Sequence, residues 1–203
     1  MENKKEKYYV FLSIDGALWD GESAFQKHGP FAKEITKPVL KNSSVQAVNF
    51  LLENLENQFD THLVITSRHR ENMPSCVDYL TMNGLKYNKA FLCTPFVPGE
   101  RGQKIIDFME ECGIRKFTYP TKNKLIAKLF SRCENPDYSN FVVIDSNKKR
   151  ISQQIPAERT IITNPKRQSL TQKQVEDYLQ KINVPFVSQI QTEQPDSIEI
   201  PQM

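Results

Sequence analysis

Residues 8–20 read Tyr8-Tyr9-Val10-Phe11-Leu12-Ser13-Ile14-Asp15-Gly16-Ala17-Leu18-Trp19-Asp20, an apolar run that stops in a short acidic turn containing a glycine. A run of that length, bounded by turn residues and without polar alternation, marks a strand buried on both faces. Such strands belong to parallel sheets covered by helices. Working outward, further strands are expected at 61–66, 90–93, 141–145 and 159–163, with the first at 8–14. Segments of helical period separate them. The clearest carries Val45, Val48, Leu51, Leu52 and Leu55 on one face, with Ser43 or Ser44 placed to cap it. Helices are also expected at 74–83, 102–112, 122–133 and 171–182, and Gly84 and Gly113 stand where helix C-termini favour glycine. The alternation predicts one α/β domain, a three-layer sandwich around a parallel sheet.

Length and composition agree. A chain of 203 residues suits one such domain with a full core and is short for two. Its net charge of +3 argues against a general nucleic-acid binder while leaving room for a local basic cleft. Cys76, Cys93, Cys112 and Cys133 are widely spaced, with no Cys-x-x-Cys pair and no histidine at zinc-ligand spacing. They are expected to be reduced and mostly buried, which fits a cytoplasmic setting. No apolar run is long enough to span a membrane, and none has the form of a secretory signal. The domain is expected over 1–184. Within it, 19–42 lacks a clean period and leaves directly from the acidic turn, which suits a flap or insertion. Residues 185–203 form a Gln-, Ser- and Pro-rich tail, either disordered or docked in extended form.

Ligands of open parallel sheets collect at the carboxyl ends of the strands. After the first strand stand Ser13, Ile14, Asp15 and Gly16; after the second, Thr66-Ser67-Arg68-His69-Arg70; after Phe141-Val142-Val143-Ile144, Asp145-Ser146-Asn147. Three strands thus end in groups suited to phosphate or metal. Their ordered set, with Lys122 or Lys124 before the fourth strand, resembles the motifs of the haloacid dehalogenase (HAD) superfamily. The resemblance covers about residues 8–180. Thr66-Ser67-Arg68-His69-Arg70, Thr94-Pro95 and Arg101-Gly102-Gln103-Lys104-Ile105-Ile106 are further similar to the HAD domains grouped with Swiss Army Knife RNA repair proteins and polynucleotide phosphatases. The departures are Ser13 for the nucleophilic aspartate, His69 for tryptophan, and Ser146 where a second acidic residue is common.

The resemblance implies a Rossmannoid HAD-like fold with a minimal cap. It implies catalytic positions at Ser13, Asp15, Thr66 and Lys124, and phosphate contacts from Thr66, Ser67, Arg70, Arg101, Lys122 and Lys124. It places magnesium on Asp15 and Asp145. The plainer alternatives are a turn held by Asp15, a cap at Thr66, solvated arginines at 68, 70 and 101, and packing roles for Trp19 and Cys93. His69 has no second ligand at metal spacing, and Lys148-Lys149-Arg150 suits a solvated helix start.

Ser13 decides between functions. A carboxylate is both a nucleophile and a charged ligand for a hard cation, whereas an unassisted serine hydroxyl is neither. Losing it should cost on the order of 10⁴-fold in rate. Magnesium binding is expected to be weak or absent. Two classes follow: a catalytically impaired HAD-like protein that keeps a pocket for a phosphorylated small molecule, nucleic-acid end or protein partner, or a magnesium-dependent phosphatase for nucleotides or polynucleotide ends. No membrane partner is expected.

Overall fold

The apolar run at the start of the chain forms the centre of the molecule. In the computed structural model, which describes residues 5–14, 17–18, 40–66, 73–94, 101–111, 140–151, 155–164 and 169–188, β1 (Lys7–Leu12) is buried at every position after Lys7. It pairs in parallel with β2 (Asp60–Ile65) on one side and β4 (Phe141–Asp145) on the other. The short β3 (Leu92–Cys93) extends the sheet beyond β2, and β5 (Thr160–Ile162) extends it beyond β4. The order is β3-β2-β1-β4-β5, all parallel. The chain steps outward from β1 to β3, then returns to β4 on the other side of β1. The crevice beyond the ends of β1 and β4 is therefore a topological switch point, where open α/β sheets present ligand sites.

Side-chain alternation sorts the core into two layers. Tyr8, Val10 and Leu12 join Leu63, Ile65, Val142 and Ile144 in one cluster with α1 (Asn42–Glu56), α2 (Met73–Met82) and α5 (Gln172–Lys181). Tyr9 and Phe11 join Val64, Phe141 and Val143 on the opposite face, under α3 (Arg101–Glu111) and the single turn α4 (Lys148–Ile151). Phe11 is fully buried and meets Phe108 and Phe141 edge-on at ring separations of 5.8 and 6.2 Å. The expected three-layer α/β sandwich is thus present.

Helix ends follow local chemistry with one exception. Thr171 and Gln174 form a reciprocal capping box at the start of α5. After α2, Gly84 has φ +88° and donates to the Thr81 carbonyl, while the Leu85 amide reaches back to Leu80. Asn183, at φ 56°, closes α5 in the same way, with its own amide on Gln180 and the Val184 amide on Leu179. Both are Schellman ends, which need a left-handed residue that glycine or asparagine tolerates. At α1 the serine cap expected from sequence is absent. The helix starts at Asn42 after Lys41, with no side-chain cap, and the Ser44 hydroxyl instead donates to the Leu170 carbonyl at 2.7 Å.

Other boundaries shift by small amounts. The first strand ends at Leu12 rather than at residue 14, and residues 41–42, assigned to the flap, open α1. Cys76 and Cys93 are half-buried at the core margin. Residues 185–188 dock: Phe186 packs edge-on against Phe50, and Ser188 donates to Glu176 at 2.8 Å. The expected helix at 122–133, Gly113, the flap over 19–39 and the tail from 189 onward lie outside the described residues. No described helix is long and apolar enough to cross a membrane.

At the amino-terminal end of the sheet, the Tyr8 and Tyr178 hydroxyls bond each other at 2.6 Å, and Tyr178 also donates to the Phe141 carbonyl. Burial pushes both phenols up from their ordinary range, so they stay neutral and pin α5 to the sheet.

Candidate anion site at the strand ends

The register of the sheet brings the candidate residues to one edge. Leu12 lies opposite Ile65 on one side and Ile144 on the other, so Ser13, Thr66 and Asp145 are neighbours at the carboxyl end. Backbone bonds fix the first residue beyond four of the five strands. The Ser13 amide donates to Ile144, Thr66 to Leu12, Thr94 to Ile65, and Thr163 to Asp145. Four hydroxyl residues and one carboxylate therefore line the edge, and all five are buried. Thr94 was known from sequence only as part of a motif, and Thr163 was missed. Thr94 follows the strand expected at 90–93, whereas Thr163 fell inside the strand expected at 159–163, which ends one residue earlier.

Arg101 fills the switch-point crevice. It is the first residue of α3, and the helix brings its side chain to Ser13 and Asp145 together. One nitrogen, Nη1, donates to Ser13 Oγ at 2.9 Å and also makes a short ion pair with Asp145 Oδ2. The other oxygen of Asp145 accepts the Asn147 amide at 2.7 Å. Both hydrogens of Nη1 are thereby used. The N–H groups on Nη2 and Nε bond no described residue, and the side chain keeps 17% of its exposure while that of Asp145 keeps none. A helix N-terminus carries partial positive charge and disfavours an arginine in its first turn. Asp145 offsets that cost, which is why the cation is tolerated there.

Thr66 is the second feature. The residue is 8% exposed, and its Oγ1 is buried with no hydrogen-bond partner among the described residues. An unpaired buried hydroxyl costs about 1–3 kcal/mol, so it marks a place where a ligand atom would be welcome.

Of the sequence-derived site residues, the structure unites Ser13, Thr66, Arg101 and Asp145. Asp15, Ser67, Arg68, His69, Arg70, Lys122 and Lys124 lie outside the described residues. Among the described residues, Asp145 is the single carboxylate at this edge and already holds a guanidinium, and no group of three metal-ligating side chains occurs. Magnesium prefers an octahedron of oxygens with charged carboxylates, and Asp15, the second ligand expected from sequence, lies outside the described residues. The Ser13 hydroxyl accepts from a guanidinium, a group with no capacity to take its proton.

Comparison with protein-family models and with curated proteins returns no match to this chain.

Proposed function

We propose that this protein is a HAD-like domain with an impaired nucleophile, whose pocket at the strand ends binds the phosphate group of a phosphorylated small molecule or nucleic-acid end. The observation that carries this reading is Arg101, with its Nη2 and Nε donors clear of described partners, standing in the crevice beside Ser13 and Asp145. The side-on edge of a guanidinium matches two oxygens of a phosphate. Thr66 Oγ1 supplies a hydroxyl on the adjoining strand end, and Ser13 is neutral where a carboxylate would repel an anion. Because Asp145 neutralises Arg101, the affinity for inorganic phosphate should be modest, with Kd on the order of 1 mM. The phosphatase reading has less support, since a serine hydroxyl lacks the charge of the carboxylate that the reaction needs.

The test is thermal melting across a phosphate titration. The wild-type chain should melt higher as phosphate rises, and Thr66→Ala combined with Lys124→Ala should remove that rise. An unchanged rise in the double variant would place the anion elsewhere. Turnover of an aryl phosphate or a 3′- or 5′-phosphorylated oligonucleotide by the wild-type chain at enzymatic rates would instead establish the phosphatase reading.

A further inference from the structure

We infer that Arg101 is a built-in cation that takes the place of a divalent metal in the switch-point crevice, so that anion binding there is metal-independent and Ser13 and Arg101 form a matched pair. This deepens the proposed function in one respect, since it specifies how that pocket carries positive charge.

A divalent-metal site at a strand end balances its ion with two carboxylates. Here the described residues offer one carboxylate, Asp145, and one guanidinium, Arg101, and the pair is neutral by itself. The same Nη1 that pairs with Asp145 also donates to Ser13 Oγ, so it bridges the ends of β1 and β4. A metal ion ligated by residues 13 and 145 would have to occupy that bridging position. Asp145 Oδ2 pairs with Nη1 and Oδ1 accepts the Asn147 amide, so a cation in the bridging position would compete directly with the guanidinium. A neutral hydroxyl at 13 suits this arrangement. It accepts from the guanidinium without adding a second buried negative charge that one arginine would have to neutralise.

The inference changes what an aspartate at position 13 should do. Placed beside Arg101, the new carboxylate would pair with the guanidinium before it met any metal. Ser13→Asp alone should therefore gain little magnesium affinity. Ser13→Asp with Arg101→Gln leaves two carboxylates facing an emptied crevice and should bind magnesium at least about tenfold tighter than the single variant.

Magnesium titration by calorimetry and by thermal melting, on the full chain, reads this directly. Expected results are no magnesium-dependent shift for the wild-type chain, little for Ser13→Asp, and a clear one for Ser13→Asp with Arg101→Gln. If that double variant stays unfolded even with magnesium, the comparison passes to Arg101→Gln with Asp145→Asn, which should fold and lose phosphate binding. Retained phosphate binding in that variant overturns the inference. So does micromolar magnesium binding by the wild-type chain, or magnesium affinity in Ser13→Asp equal to that of its double variant. Wild-type phosphate titrations in EDTA and in magnesium separate the two proposals. Equal affinity in both supports the built-in cation, whereas binding that requires magnesium overturns it and leaves the phosphate pocket standing. No phosphate binding in either sinks the proposed function, and the magnesium titrations then decide the role of Arg101 alone.

Discussion

Replacing Arg101 with methionine should destabilise the fold far more than loss of a surface arginine would. The side chain of Asp145 is fully buried, and its described acceptor bonds run to Arg101 and to the Asn147 amide. Without the guanidinium, a buried charge keeps one backbone donor. Breaking a buried pair from one side costs about 3–5 kcal/mol, a large share of a typical total of roughly 5–15 kcal/mol. Asp145→Asn should cost less, about 1–3 kcal/mol. The asparagine Oδ1 can still accept from Asn147, and Arg101, partly exposed, can turn to water. The double variant Arg101→Met with Asp145→Asn leaves no unpaired charge, so the two losses should fall short of additivity by about 2–3 kcal/mol. Urea unfolding followed by far-ultraviolet circular dichroism measures all four proteins. With a slope near 2 kcal/mol per molar, Arg101→Met should lower the midpoint by about 2 M. A loss below about 1 kcal/mol, or strict additivity, would refute the view that this pair is a structural unit of the crevice.

Thr66→Val removes the unpaired buried hydroxyl, so it should stabilise the ligand-free protein by up to about 1 kcal/mol while weakening phosphate-dependent stabilisation; a destabilised variant that still responds to phosphate would contradict this. Asp60 is held below the usual carboxylate range by the hydrogen bond from Lys89, against a smaller opposing effect of burial and with help from the charge of nearby His62. Its contribution is therefore complete above the unfolded value of about 3.9 and disappears as pH falls through the lower folded value. With Asp60 40% exposed, Asp60→Asn should cost no more than about 1 kcal/mol at neutral pH, less in high salt, and nothing once the carboxyl is protonated in both states. Unfolding curves at neutral and strongly acidic pH would show whether the gap closes.

Much of the fold was legible because a parallel sheet covered on both faces writes its strands as plain apolar runs. Phe141–Asp145 was placed to the residue, and Lys7–Leu12 and Asp60–Ile65 within two at either end. What escaped depends on partners distant in sequence. Ser44 looked like a helix cap, but its hydroxyl is claimed by Leu170, 126 positions away. The cap that does form, Thr171 with Gln174, has the Thr-x-x-Gln spacing that local reading can find.

The same distinction explains the site. Ser13, Thr66 and Asp145 could be nominated because each follows an apolar run, and a strand end is a local property. Arg101 follows no strand and is nominated only through the motif resemblance, since arginine is a surface residue by default. Its role arises only when the return from β3 to β4 carries α3 across the sheet, bringing its first residue to side chains 88 and 44 positions away. Sequence alone presents Ser13 as the loss of one carboxylate. With Arg101 in place, Ser13 and Asp145 share one guanidinium, and in the reading inferred above a carboxylate and a metal charge go missing together. Restoring either partner without the other should therefore leave a charge unbalanced in a buried site, which gives the paired substitution, and not the single one, the better prospect of changing what the pocket binds.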